Sequence, residues 1–317
     1  MTVGRRHYLV IAQILISAAL LAWLIHFAQP EKLWDAVANI SPTAMALAAL
    51  AMIVCNIAAA LRQSIILGAL GIDVTFRQMI VLNWMGLFAN NFLPSSVGGD
   101  AAIAAFLQRR YQRLGTIVSA LLINRISGLI ALLIVLLALL LVVDLGPLQL
   151  LVNRLIFWSI GLLALGIAGI GLLFLLHRTG NRLSRLIVAI FSKLQLVGAT
   201  ARSLGQRFYS IALLSLATIG LTMAGPGILG LWQYPPGSFW STITIVLMLQ
   251  LVQLIPISFN GIGMAESLVT YCLTRIGWPL QDAVLFGLVI RALSIAVSLP
   301  GALAFVFLPA RAAKQQA

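Results

Sequence analysis

Two acids and two arginines stand out in a chain that holds few charges. Asp100 follows "LPSSVGG", and Arg125 comes 25 positions after it; Glu266 follows "PISFNGIGMA", and Arg291 again comes 25 positions after it. Residues are 62% hydrophobic and 9% charged, so these four groups sit in apolar surroundings. An ionisable group there is costly and either pairs or faces a cavity. A carboxylate can hold a cation or carry a proton. A guanidinium offers a planar fork of donors that matches a phosphate. Each acid has three roles open to it: capping its own helix, bridging to its arginine, or meeting a substrate or proton. Each arginine either locks a bridge or grips a phosphate, and both hold if the phosphate competes with the carboxylate.

The residues before each acid are helix breakers and small polar groups. Pro94, Gly98 and Gly99 interrupt the first stretch; Pro256, Gly261 and Gly263 interrupt the second. Asn90, Asn91, Ser95 and Ser96 surround the first break, and Gln253, Ser258 and Asn260 the second. Inside a bilayer, non-helical backbone is tolerated only where protein or water satisfies it. These amides and hydroxyls either do that or line a path, as can Asn124 beside Arg125. A half-helix starting near Asp100 or Glu266 also turns N–H groups with partial positive charge toward any anion at that depth.

Such positions must be held by membrane-spanning helices. Full spans are expected near 8–28, 43–67, 116–143, 155–176, 208–231 and 281–308, with interrupted stretches at 78–108 and 239–274. If each interrupted stretch dips in and returns to the same side, fifteen basic residues, Arg62 among them, fall on cytoplasmic segments and three, Lys32, Arg154 and Arg275, outside. That split follows the positive-inside rule, with both termini cytoplasmic. The fold expected is all-α and polytopic: six full transmembrane helices plus two re-entrant broken-helix hairpins in one integral domain over 1–317. Halves 1–144 and 155–310 then repeat the same order with opposite orientation, a plan that places binding sites where broken helices meet. Between them, 181–206 has apolar residues at helical spacing with Arg182, Arg185 and Lys193 interleaved. It reads either as an amphipathic helix on the cytoplasmic leaflet or as a plain linker helix. Trp84, Trp232, Trp240 and Trp278 read as interface anchors.

Several chemistries find no support. The net charge of +13 orients membrane helices here and does not point to nucleic acid. Cys55 and Cys272 are far apart in apolar segments and form no disulfide framework or metal site. The three lysines, Lys32, Lys193 and Lys314, have no glycine before them, so there is no P-loop for ATP. No H-E-x-x-H and no G-x-S-x-G occurs, and His7, His26 and His177 are scattered. No cofactor is expected.

The blocks "NNFLPSSVGGDAAIAAFLQRR" with "NRISGL", and "PISFNGIGMAES" with "VIRALS", resemble the membrane region of lysylphosphatidylglycerol synthases in its stand-alone form. The resemblance covers nearly the whole chain. The positions that match are Asn90, Pro94, Gly99, Asp100, Arg125, Pro256, Ser258, Gly261, Gly263, Glu266 and Arg291. In full synthases this region is a flippase, and a separate soluble domain makes the aminoacylated lipid. Stand-alone relatives are associated with other lipids, including hopanoids and isoprenoid-linked sugars. The resemblance implies a non-enzymatic lipid flippase or transporter in a bacterial cytoplasmic membrane. Its substrate would be a phosphate-bearing lipid, and a lipid-modifying enzyme is a possible partner. Two other classes stay open: a membrane enzyme transferring a group on a lipid carrier, and a non-transporting scaffold for a lipid-modifying enzyme.

Overall fold

The computed structural model describes residues 40–92, 98–150, 207–230, 238–253 and 259–304, with a few isolated positions. The expected spans 8–28 and 155–176 and the segment 181–206 lie outside the described residues, as do Pro94, Ser95, Ser96, Pro256, Ser258 and Trp232.

Eight α-helices account for most of the described chain: α1 Pro42–Ala69, α2 Phe76–Phe92, α3 Gly98–Tyr111, α4 Leu114–Val142, α5 Arg207–Gly230, α6 Phe239–Val252, α7 Met264–Arg275 and α8 Leu280–Ser298. After a turn at Leu299, α8 runs on to Ala304. Four of these, α1, α4, α5 and α8 with its extension, are long and apolar enough to cross a membrane. At 1.5 Å per residue, the 28 residues of α1 and the 29 of α4 exceed the roughly 30 Å of hydrocarbon. By the same measure α2, α3, α6 and α7, at 17, 14, 14 and 12 residues, are each too short.

Local chemistry sets the helix ends. Ser41 caps α1 by accepting from the Ala44 amide at 3.4 Å, and Pro42 takes the first turn, where a missing N–H costs nothing. Between α6 and α7, Asn260, Gly261 and Gly263 all have positive φ, at 49°, 72° and 80°, which turns the chain before Glu266. Two of those positions are glycine, the residue that adopts such angles without steric cost.

The short helices pair as hairpins. Gly86 of α2 meets Ile103 of α3, and Asn90 meets Gly99, so the two helices run back along each other. A Cβ on Gly99 would stand 2.2 Å from the Gly86 carbonyl oxygen. Here the structure corrects an expectation: Gly98 and Gly99 form the first turn of α3 and not the loop. Their role is the close approach of two helices, which any side chain at Gly99 would block.

Contacts between the helices sort their ends into two groups. The Ala69 end of α1 lies beside the starts of α4 and α5: Arg113 donates to the Gly71 carbonyl at 3.2 Å, and the space beside Gly68 is filled by Arg207. The end of α3 joins them, Tyr111 donating to the Asp73 carbonyl at 2.6 Å. Arg77, Arg109, Arg110, Arg113 and Arg207 collect there, making a basic end. At the other end, the chain after α4 meets the start of α6, where Ser241 donates to the Asp144 carbonyl at 3.1 Å. Leu145 and Leu148 there pack in one cluster with Leu273 at the end of α7 and Trp278 from the turn between α7 and α8. The hairpin α2–α3 therefore opens toward the basic end and the hairpin α6–α7 toward the opposite one. The helices of the two halves also keep register: α3 and α7 begin at Gly98 and Met264, and α4 and α8 at Leu114 and Leu280.

Two tryptophans are not anchors at an interface. The Trp84 indole donates to the Val297 carbonyl at 3.0 Å, tying α2 to α8. Trp278 is buried against Phe286, with ring centroids 5.4 Å apart. Trp240 is exposed on the bundle surface, as an anchor would be.

Candidate functional site

In both halves the acid and the arginine 25 positions later are in contact. Arg125 on α4 donates through Nε to the Asp100 carboxylate in the first turn of α3. Arg291 on α8 donates through Nε to Glu266 Oε1 on α7 at 2.6 Å. Each bridge ties a short helix to the long helix that follows it. In each bridge the guanidinium donates from Nε.

The two pairs differ in what else they do. Glu266 also caps its own helix, its Oε2 accepting from the Gly263 amide at 2.7 Å. It is 3% exposed, and Arg291 16%. Asp100 is 23% exposed and Arg125 36%, and the amide of Gly99 is satisfied by Asn90 instead, at 2.7 Å. The capping and bridging roles left open for an acid are thus both filled by Glu266, whereas Asp100 serves the bridge.

A chain of amides links the two breaks. Asn91 donates to the Ser294 carbonyl of α8 at 3.4 Å and accepts from Asn260 at 3.1 Å. The Asn260 carbonyl in turn accepts from Arg291 Nη1 at 3.4 Å. The bond between Asn91 and Asn260 brings the end of α2 beside the turn that precedes α7.

Beside this contact lies a cavity of about 580 Å³. Arg125 and Arg291 both line it, with Glu266, Asn90 and Asn260, and Asn56, Gln250, Gln253, Thr222 and Cys55 add further polar atoms. Asp100 stands behind Arg125 and is not part of the wall. Pro226 and Thr222 of α5 face the same space; proline has no N–H to give the Thr222 carbonyl one turn earlier. The walls otherwise are apolar, from residues such as Leu249, Val269 and Ile290. Such a space suits an amphiphile: polar donors at one place, hydrocarbon around them.

Of the residues singled out in the sequence, Asn90, Asp100, Arg125, Asn260, Gly261, Gly263, Glu266 and Arg291 come together here. Sequence reasoning misplaced Arg62. Counted with the cytoplasmic charges, it is in fact buried inside the bundle, 7% exposed, with hydrogen bonds to Asn124, Ser215 and Thr218. The signal was present, since Arg62 falls inside the expected span 43–67. Asn56 was missed for lack of any charge or break beside it.

No curated protein and no solved structure matches the chain. A family model described as the lysylphosphatidylglycerol synthase TM region matches residues 10–301. That match spans both blocks, both ion pairs and all eight helices, and with four apolar helices of spanning length it identifies the chain as a multi-pass membrane protein belonging to the lysylphosphatidylglycerol synthase TM region family.

Proposed function

We propose that this protein is a lipid flippase or closely related lipid transporter, not an enzyme, carrying a phosphate-bearing lipid across the cytoplasmic membrane. The observation that carries this reading is the placement of Arg125 and Arg291, one from each half, on the wall of one central cavity. The phosphate would be met by the guanidinium forks, the headgroup would travel through the polar centre, and the tails would stay in the bilayer. Asp100 and Glu266 hold the arginines in place, or carry a coupling proton.

The hairpins support the same reading. One opens toward the basic end and one away from it, which with the positive-inside rule makes them re-entrant from the cytoplasm and from the exterior. Two opposed hairpins around one site are the plan on which inverted-repeat transporters offer a site to each side in turn. Both termini are then cytoplasmic, and the spans expected from sequence near 8–28 and 155–176 would bring the total to six. A lipid-modifying enzyme would supply or consume the lipid.

The test is lipid movement in proteoliposomes, with the lipid that co-purifies in mild detergent as the substrate. Movement by the wild type and its loss in Arg125→Gln is the expected result. Wild-type rates in Arg125→Gln would overturn the phosphate grip.

A further inference from the structure

We infer that Arg62 marks a second anion position, between the central cavity and the basic end of the bundle, which receives a phosphate group on its way to or from Arg125. The starting observation is a charge without a counter-charge. Among the described residues the two ion pairs are Asp100–Arg125 and Glu266–Arg291, and Arg62 belongs to neither. Its partners are neutral: Nε donates to Asn124 Oδ1 at 2.8 Å, and Nη1 donates to Ser215 Oγ and Thr218 Oγ1 at 3.1 and 3.2 Å. Both hydroxyl protons go to backbone carbonyls, those of Ile211 and Ser215, so the hydroxyls serve Arg62 only as acceptors. A buried arginine is ordinarily paired with an anion, because its desolvation is costly.

The neighbourhood has donors to spare. Gln63 spends its Oε1 on Asn124 Nδ2 at 3.4 Å, and its own buried Nε2 has no hydrogen-bond partner. Asn56, on the cavity wall and 8% exposed, accepts from Asn83 at 2.7 Å through Oδ1, while its buried Nδ2 has no partner either. Buried donors left unmade cost about 1–3 kcal/mol each. A cation and two orphan amides along one stretch of α1 are chemically short of acceptors, and a phosphate oxygen is an acceptor carrying the missing charge.

Position gives the cluster its direction. Arg62 lies seven residues from Ala69, the end of α1 at the basic face, so about 10 Å in along the helix axis. It lies one turn beyond Ala59, which lines the cavity, and Asn124, its partner, precedes Arg125. Gly128 of α4 packs beside it, both Nη atoms lying 3.5 Å from where a Cβ would stand. The route from the basic end to the centre thus passes Arg113 and Arg207, then Arg62, then Arg125. Among the described residues the opposite route lacks this step. The register that carries Asp100 onto Glu266 and Arg125 onto Arg291 also carries Asn56 onto Thr222, both on the cavity wall, and it places Ile228 opposite Arg62. Among the described residues the anion position therefore belongs to one side of the molecule.

The anion position stands on the chemistry of Arg62; its place on a transport route rests on the function proposed above. The test is ligand-induced thermal stabilisation of the detergent-purified full chain. The probes are short-chain phosphatidylglycerol, inorganic phosphate, and short-chain diacylglycerol as the phosphate-free control. Arg62→Gln should weaken phosphatidylglycerol binding about tenfold, the value of one charge-assisted contact, and Arg62→Lys should recover part of it. Ser215→Asp, which sets a carboxylate on Arg62, should raise the melting temperature without ligand and abolish the Arg62-dependent binding. Loss of inorganic phosphate binding in the same variants would assign the site to the phosphate itself; loss confined to phosphatidylglycerol would assign it to the lipid headgroup. Wild-type binding in both Arg62→Gln and Ser215→Asp would make Arg62 a structural pin and overturn the inference. Binding that falls with Arg62 changes but not with Arg125→Gln would keep the anion position and remove the central cavity from the route.

Discussion

At the scale of the residue, the two bridges make different demands on a substitution. Asp100 is partly exposed, so Arg125→Gln should fold with near wild-type stability while losing lipid movement. Glu266 is 3% exposed. Removing Arg291 alone strands a buried charge at a cost of about 3–5 kcal/mol, and Arg291→Gln should melt well below the wild type. The double change Arg291→Gln with Glu266→Gln should restore much of that stability and still fail to move lipid. A proteoliposome assay beside a thermal melt separates these outcomes; activity in the stable double variant would make the pair structural only. In a double-mutant cycle, each acid–arginine pair should show a coupling of about 0.5–3 kcal/mol, the range for groups in contact. Lysine at 125 should rescue movement only partly, because it lacks the planar fork. Composition and spacing singled out these four groups and offered pairing as one of three roles for each acid; the bridges themselves are seen only in the structure. The double duty of Glu266 was not legible, because its reach back to the Gly263 amide depends on three positive-φ residues between 260 and 263 that no spacing rule reveals.

At the scale of the element, glycine placement controls how closely helices approach. A Cβ on Gly301 would stand 2.0 Å from the Trp84 carbonyl oxygen, and the obstacle is backbone, which cannot swing aside. Gly301→Ala should therefore force α8's extension away from α2 and destabilise by about 1–3 kcal/mol, the usual toll of overpacking. Gly220 of α5 has nothing within 4 Å of the same imagined atom, so Gly220→Ala should leave the melting temperature unchanged or raised. Equal shifts in the two variants would mean that helix propensity, not close approach, governs both sites. Apolar length located α1, α4, α5 and α8 to within a few residues, because hydrocarbon thickness is a strict ruler. The ends of the short helices were harder to place. "VGGD" reads as a loop by composition, yet two of its glycines are the first turn of a helix pressed against another. Tertiary closeness, which local sequence does not encode, decided that point. Arg62 was misplaced for a related reason: a count of charges by segment has no means to see that one of them is walled in by Asn124, Ser215 and Thr218.

At the scale of the whole molecule, the arginines at one end of the bundle carry the orientation proposed for it in a membrane. The turn between α3 and α4 lies at that basic end and the turn between α7 and α8 at the other. A cysteine placed at Gln281 should react with an impermeant thiol reagent added outside intact cells, and one at Gln112 should not. Labelling of Gln112 from outside would reverse the orientation and with it the assignment of the cytoplasmic hairpin. The common register of the described helices was legible before any coordinates in the shared acid-to-arginine spacing, and the helix starts keep it. Its departures were not, and the departures carry direction: a symmetric molecule would have no reason to prefer one leaflet.

The cap that Glu266 forms with Gly263 reaches further than its own helix. A carboxylate fastened both to the backbone of its own helix and to Arg291 acts as a rivet, and Asp100, fastened to Arg125, acts as a latch. Motion that opens the central space should then be carried by the latched hairpin turning against the riveted one, much as a door moves on a fixed frame. The signature is kinetic. Under native conditions, backbone amides of Gly98–Tyr111 should exchange with solvent deuterium faster than those of Met264–Arg275, and phosphate-bearing lipid should slow the first set far more than the second.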